Sequence, residues 1–298
     1  METLTKPRSP DFEKYNTVVN PDQYQISWRS FYEKGMAETA AFRSAFRNET
    51  NVFYGQHPAQ ILDIYYPTGV SGSAPVYIFL HGGAFREGHP AQYGFVGKPH
   101  VERGAIFVCA GYRLAPDCYY PDTIQDVAAM IGWLYHNIGS RGGDPNRLVL
   151  SGHSSGSTVS ALASVRTDWQ ARVNVPEDVL RSLVFCGATY DFRTDFVGNL
   201  VTDTARREEA TAVCNISRVP SRALFIFGVN ESNRGDGTRF ERSARALADA
   251  MAARGTDIRI VPLPHADHQG SCASLCDING PAFDLATKVI HGRPWSDR

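Results

Sequence analysis

The chain has no excess charge of either sign. Thirty lysines and arginines stand against 31 aspartates and glutamates in 298 residues, a formal net charge of −1. A chain without a strong field has no electrostatic hold on nucleic acid or an anionic membrane surface, so neither is expected as a partner. No apolar run approaches the roughly 20 residues that a membrane-spanning helix needs. The first residues, Met1 to Arg8, lack the apolar segment of a secretory signal, which leads to the expectation of a soluble, cytoplasmic protein. No internal repeat or low-complexity tract appears, which leaves no repeat architecture to consider.

Cysteines are too sparse for a disulfide scaffold. The six, Cys109, Cys118, Cys186, Cys214, Cys272 and Cys276, are scattered over the chain. Cys109 and Cys186 fall inside apolar strand-like runs and read as core fillers. Cys272 and Cys276 follow His265 and His268, but this H-x-x-H-x3-C-x3-C spacing matches no standard zinc pattern. No metal and no cofactor are expected.

What is present is an alternation of apolar strands and amphipathic helices. Residues 24–47 carry Trp28, Phe31, Tyr32, Met36, Ala40 and Phe46 at helix-like spacing, after a polar arm over residues 1–20. Two strand-like runs follow, around Val52–Tyr54 and Ile61–Tyr66, suggesting an antiparallel entry. Further strand candidates are Val76–Leu80, Ala105–Ala110, Arg147–Leu150, Arg181–Cys186, Ala223–Phe227 and Asp257–Val261. Their nearly continuous apolar character is that of strands covered on both faces. Ile124, Val127, Ala128, Ile131 and Leu134 form one helical stripe with Asp122 near its start, and Phe240–Arg254 forms another helix ended by Gly255. The expected architecture is α/β, a mostly parallel sheet with helices on both faces. No linker divides the chain, so residues 1–298 read as one domain. Residues 1–50 would supply an N-terminal arm and helices contributing to a cap, and the 190–220 stretch an insertion over the site.

Gly152-His153-Ser154-Ser155-Gly156 lies between the strand-like Arg147–Leu150 and a small-residue helix containing Thr158, Val159, Ala161 and Leu162. A G-x-S-x-G in that setting is a nucleophile elbow, whose glycines permit a sharp turn that projects the serine. Ser154 is therefore the candidate nucleophile. Upstream, Tyr77–Leu80 runs into His81-Gly82-Gly83. The backbone N–H groups of Gly82, Gly83 and Ser155 are candidates for an oxyanion hole, with His81 a structural residue. A serine needs a base, and the base an orienting acid. Glu231, three residues past Gly228, is the preferred acid, with Asp236 in the same loop as its rival. Two histidines follow the last strand: His268, better placed before the terminal helix, and His265, closer to the strand. His153, at the variable position of the elbow, reads as a packing residue. Phe85, Tyr93, Asp191 and Phe192, each after a strand, are candidate substrate contacts.

Together, His81-Gly82-Gly83, Tyr112-Arg113-Leu114-Ala115-Pro116 and the Ser154 elbow resemble the esterase/lipase branch of the α/β-hydrolase fold. Asn51-Val52-Phe53-Tyr54-Gly55 with Gln60-Ile61-Leu62-Asp63-Ile64-Tyr65-Tyr66-Pro67, and the preceding helix with Trp28 and Phe31-Tyr32, are similar to the entry segment of kynurenine formamidases (arylformamidases). Ala84-Phe85 stand where many of those enzymes carry an aromatic pair, and Gln269 where an aromatic often follows the base. The resemblance implies an eight-stranded α/β-hydrolase sheet and a serine hydrolase acting on a small-molecule ester or amide, with a general short-acyl carboxylesterase as the alternative and a non-catalytic hydrolase-fold binding protein as the reading from another class. A homodimer is compatible with it.

Overall fold

The computed structural model describes residues 28–69, 72–193, 199–229, 231 and 239–296. The polar arm over residues 1–20 lies outside that set. Eight strands form one sheet: β1 (Asn48–Phe53), β2 (Ile61–Tyr65), β3 (Ala74–Leu80), β4 (Ile106–Ala110), β5 (Gly143–His153), β6 (Ser182–Cys186), β7 (Arg222–Gly228) and β8 (Asp257–Leu263). Their order is β1-β2-β4-β3-β5-β6-β7-β8. β1 pairs antiparallel with β2, and β2 antiparallel with β4. Every later pairing is parallel. The α/β architecture and the antiparallel entry are therefore as read from the sequence.

The helices are α1 (Arg29–Ala45), α2 (Pro90–Tyr93), α3 (Lys98–Glu102), α4 (Asp122–Asn137), α5 (Ser155–Ser164), α6 (Arg239–Ala252), α7 (His268–Ala273) and α8 (Pro281–His291). Period-two alternation along each strand sends successive side chains to opposite layers. On one face Ile78, Leu80, Val108, Leu150, Phe185 and Phe225 meet α4, α5 and α6 through Ile131, Leu162 and Leu247. On the other, Tyr77, Phe79, Phe107, Val149, Val184 and Ile226 meet α1, α2 and α8 through Phe42, Tyr93 and Val289. Cys109 and Cys186 are fully buried within that second layer.

Two segments differ from their sequence reading. β5 begins four residues before Arg147, because Ala74 pairs with Gly143 ahead of a register shift. β8 is not covered on both faces: it is one of the two edge strands, and only Val261 along it is buried. Among the described residues, no helix is long and apolar enough to cross a membrane.

Candidate active site

The parallel strands all point the same way, so the loops after β3, β5, β6, β7 and β8 gather at one end of the sheet. There Ser154 sits between β5 and α5 at φ 54°, ψ −125°. A non-glycine residue at positive φ is strained and persists only where its surroundings enforce it. The enforcement comes from both neighbours. A side chain at Gly156 would collide with the carbonyl oxygens of Leu80 and His81, and one at Gly152 with the backbone of Gly156 and Ser157. β3, β5 and α5 thus approach too closely for anything but glycine at those two positions, and the turn must be sharp.

His268 Nε2 lies 2.9 Å from Ser154 Oγ, and His268 Nδ1 lies 2.8 Å from Glu231 Oε2. The three side chains are in one hydrogen-bonded line. Glu231 is buried, its other carboxylate oxygen accepting the Gly228 N–H. Gly187, after β6, has φ +52°, and a side chain there would come within 2.9 Å of Glu231 Oε2. The space for the acid is therefore set by a neighbouring strand. His268 does not sit in a loop: it opens α7, with Asp267 as N-cap accepting from the Gly270 N–H at 2.7 Å. His265 is exposed and away from this line. Asp236 lies outside the described residues.

Gly82 packs directly on the elbow: a side chain there would come within 3.1 Å of Ser154 Cβ. As the first residue of α5, Ser155 has no carbonyl one turn earlier to receive its N–H. The chain then turns through Gly83 (φ +132°), Ala84 (φ 53°) and Phe85 (φ 63°). The turn is held by N–H groups of Arg86 and Glu87 on the Gly83 carbonyl, and by the Ala115 N–H on that of Phe85. His81 is buried and donates from Nδ1 to the Gly82 carbonyl oxygen at 2.9 Å. Burial lowers its imidazole to about 3, so it stays neutral. The Tyr112 hydroxyl donates to the His81 carbonyl, and Arg113 is clamped on the buried Asp126 of α4. The Tyr112-Arg113 motif is thereby the brace behind this loop.

Three rings enclose His268. Phe240 of α6 stacks on it at 5.0 Å and 15°, Trp28 lies at 5.3 Å, and His153 at 4.5 Å. His153 is fully buried and donates from Nε2 to the His268 carbonyl oxygen at 2.9 Å. Burial and the nearby His268 hold the His153 imidazole well below its ordinary value. The contacts of Phe240 and Trp28 with the histidine were not apparent from the sequence.

Of the candidate substrate contacts, Phe85 is buried in the loop after β3. Asp191 is partly buried and ion-paired to Arg193 at 2.6 Å. Tyr93 is packed among Phe31, Tyr32, Phe79 and His81, and Phe192 belongs to the core on the α4–α6 side. Among the described residues no three His, Cys, Asp or Glu side chains converge as a metal site.

Residues 62–195 match the BD-FAE family. A probable isoprenylcysteine alpha-carbonyl methylesterase of Arabidopsis thaliana is 38% identical over 149 residues, which span 50% of this chain and 32% of the relative. The chain thus covers about a third of that relative's length. Kynurenine formamidase of Danio rerio is 25% identical over 264 residues, 85% of either chain. Esterase LipC of Mycobacterium tuberculosis is 31% identical over 54% of this chain and 40% of its own. Among solved structures, a truncated carbohydrate esterase from gut microbiota superposes with a TM-score of 0.70 at 17% identity, covering 84% of this chain and 97% of that one. Esterase B of Lactobacillus rhamnosis, inhibited by a tributyrin phosphonate, gives 0.69 at 22% identity over 89% and 94%. Strand order, the turn at the end of β5 and these superpositions give the chain the α/β-hydrolase fold, and its sequence is similar to esterases, methylesterases and a formamidase.

Proposed function

We propose that the protein is a serine hydrolase that cleaves a small carboxylic ester or amide through an acyl-enzyme. The observation that carries this reading is the unbroken line from Glu231 through His268 to Ser154, with the serine held at positive φ. Ser154 Oγ attacks the substrate carbonyl carbon while its proton passes to His268 Nε2. Glu231 keeps Nδ1–H facing it and stabilises the imidazolium that forms. The N–H groups of Gly82, Gly83 and Ser155 receive the oxyanion, each such donor worth about 10²–10³ in rate. The tetrahedral species collapses, and the leaving alcohol or amine takes the proton from His268. Water, deprotonated by the same histidine, then releases the acid and restores Ser154.

Similarity to a kynurenine formamidase along most of the chain favours an N-aryl formamide or related acyl-arylamine as substrate. A short-acyl carboxylesterase is the second reading, favoured by the esterase and methylesterase relatives. Phe85 and Asp191 follow strands β3 and β6 at the active end of the sheet and are proposed to touch substrate. Tyr93 and Phe192 are proposed to act from behind, as the packing that holds that rim.

A fluorophosphonate probe is expected to label the wild type and not Ser154→Ala; an unlabelled wild type would overturn the hydrolase reading. Rates on formylkynurenine, acyl-anilides and p-nitrophenyl acetate, measured side by side, separate the substrate classes. Negligible amide turnover would leave the carboxylesterase.

A further inference from the structure

A second concavity lies at the opposite end of the sheet. A cleft of about 270 Å³ is lined by Arg103, Ile278, Phe283, Asp284, Thr287, His291 and Arg293. Arg103 directly follows α3 and precedes β4. The backbone carbonyl of Arg293 accepts from Arg222, the first residue of β7. The cleft therefore sits where the strands begin, whereas Ser154 sits where β5 ends. Arg147, whose charge acts on His291, and Ser154 are seven residues apart along the chain, roughly 20 Å at the rise of an extended strand.

The lining is positive and only partly compensated. Asp284 is taken by Lys288 Nζ at 3.0 Å. Among the described residues neither Arg103 nor Arg293 forms an ion pair with a carboxylate. Arg103 lies over the Phe283 ring, 4.4 Å from its centroid. Burial, with Arg293 and Arg147, holds the His291 imidazole below its ordinary value. One polar atom in the lining also lacks a counterpart. Thr287 is only 8% exposed, and its Oγ1 has no hydrogen-bond partner. A buried hydroxyl in that state is unfavourable, and rotation of the side chain toward the cleft would bring it to a ligand oxygen.

We propose that this cleft binds a phosphomonoester, with the phosphate oxygens taken by Arg103, Arg293 and Thr287 and an apolar body resting on Phe283 and Ile278. Two guanidinium groups carry planar sets of donors suited to a phosphate, Arg103 with its Nη1 already on the Pro99 carbonyl at 3.2 Å and its other donors left for a ligand, and a hydroxyl supplies one further donor. The exposed Ile278 side chain beside the Phe283 ring gives the wall an apolar strip that inorganic phosphate would leave unused.

The test is thermal stabilisation of the intact protein by inorganic phosphate and by phenyl phosphate, against chloride at matched ionic strength. A saturable rise in Tm is expected with both, reached at several-fold lower concentration for phenyl phosphate. Arg103→Gln combined with Arg293→Gln is expected to abolish it, and Thr287→Val to weaken binding about tenfold, the effect of losing one hydrogen bond to a charged group. All three substituted residues lie away from the catalytic serine, so fluorophosphonate labelling and ester turnover without phosphate should match the wild type. No response beyond that to chloride, or a response that survives in the double variant, would overturn the proposal. Equal affinity for the two probes would overturn the apolar wall. Should the double variant not fold, Thr287→Val alone decides: undiminished binding rejects the site.

Discussion

At the scale of single residues, the site is decided by what surrounds each reactive group. Glu231 reaches His268 Nδ1 only because Gly187 has no side chain in its way and the Gly228 N–H fixes the other carboxylate oxygen. Replacing the carboxylate by its amide, Glu231→Gln, keeps the shape and removes the charge. It can also present an N–H to the histidine, favouring the wrong tautomer. A fall in kcat of about 10²–10⁴ with little change in KM is expected from steady-state kinetics. Asp236→Asn is expected to retain wild-type turnover. Full activity in Glu231→Gln with loss in Asp236→Asn would exchange the two roles. Ser154, Glu231 and His268 were legible as candidates because elbow, acid and base follow strands β5, β7 and β8 in a fixed order. Position after the strand-ending Gly228 favours Glu231 over Asp236, although five residues of loop can fold either carboxylate toward the histidine. Of the two histidines, His268 is already the better placed in the sequence, before the terminal helix. Asp267 caps the helical turn it opens, and it is the one that hydrogen-bonds to Ser154 and Glu231, whereas His265 is exposed.

At the scale of elements, α1 shows what local pattern cannot reveal. Its amphipathic spacing was readable, but its docking depends on residues distant in sequence. Arg43 Nη2 contacts Asp63 Oδ2 of β2 at 2.5 Å, and Phe42 stacks on Tyr65 at 4.3 Å. Asp63 is fully buried, and burial pushes its carboxyl up even against the pull of Arg43. That pair seats the helix on the sheet, and the residue just before the helix, Trp28, then lies against His268. Removing one partner of a buried ion pair leaves the other without compensation, at a cost of about 3–5 kcal/mol. Arg43→Met is expected near the lower end, because the stranded carboxyl can take up a proton. Urea unfolding at pH 7 measures it. Adding Asp63→Asn should recover part of the loss, and a double variant no more stable than the single would show that the charge is not what matters. Trp28 and Phe240 escaped the sequence reading for the same reason: both reach His268 across long stretches of chain.

At the scale of the whole molecule, two helical layers enclose the sheet and bury histidines that must stay neutral for the fold to hold. His81 lies at the turn after β3. His100 lies in the other half of the core, its Nε2–H on the Leu275 carbonyl at 2.8 Å and its ring between Tyr77 and Phe283. Burial lowers both imidazoles to about 3 from an ordinary 6.5. Between those values the unfolded chain binds a proton at each position and the folded chain does not. Stability is therefore full above pH 6.5 and is lost progressively as pH falls toward 3, by up to about 1.4 kcal/mol per pH unit for each histidine. The carboxylates of Asp168 and Asp191, held low by Arg166 and Arg193, add to the loss only nearer the acid end. His100→Gln isolates one contribution, since the amide N–H can still meet the Leu275 carbonyl but cannot titrate. The variant is expected to be less stable at pH 7, because its packing between Tyr77 and Phe283 is disturbed. Its unfolding free energy should nevertheless fall less steeply between pH 6 and pH 4, the slopes differing by about one proton. Urea titrations at pH 7, 6, 5 and 4.5 give both slopes. Parallel curves would mean that His100 is already protonated in the folded protein, and that the hydrogen bond to Leu275, not burial, governs its charge.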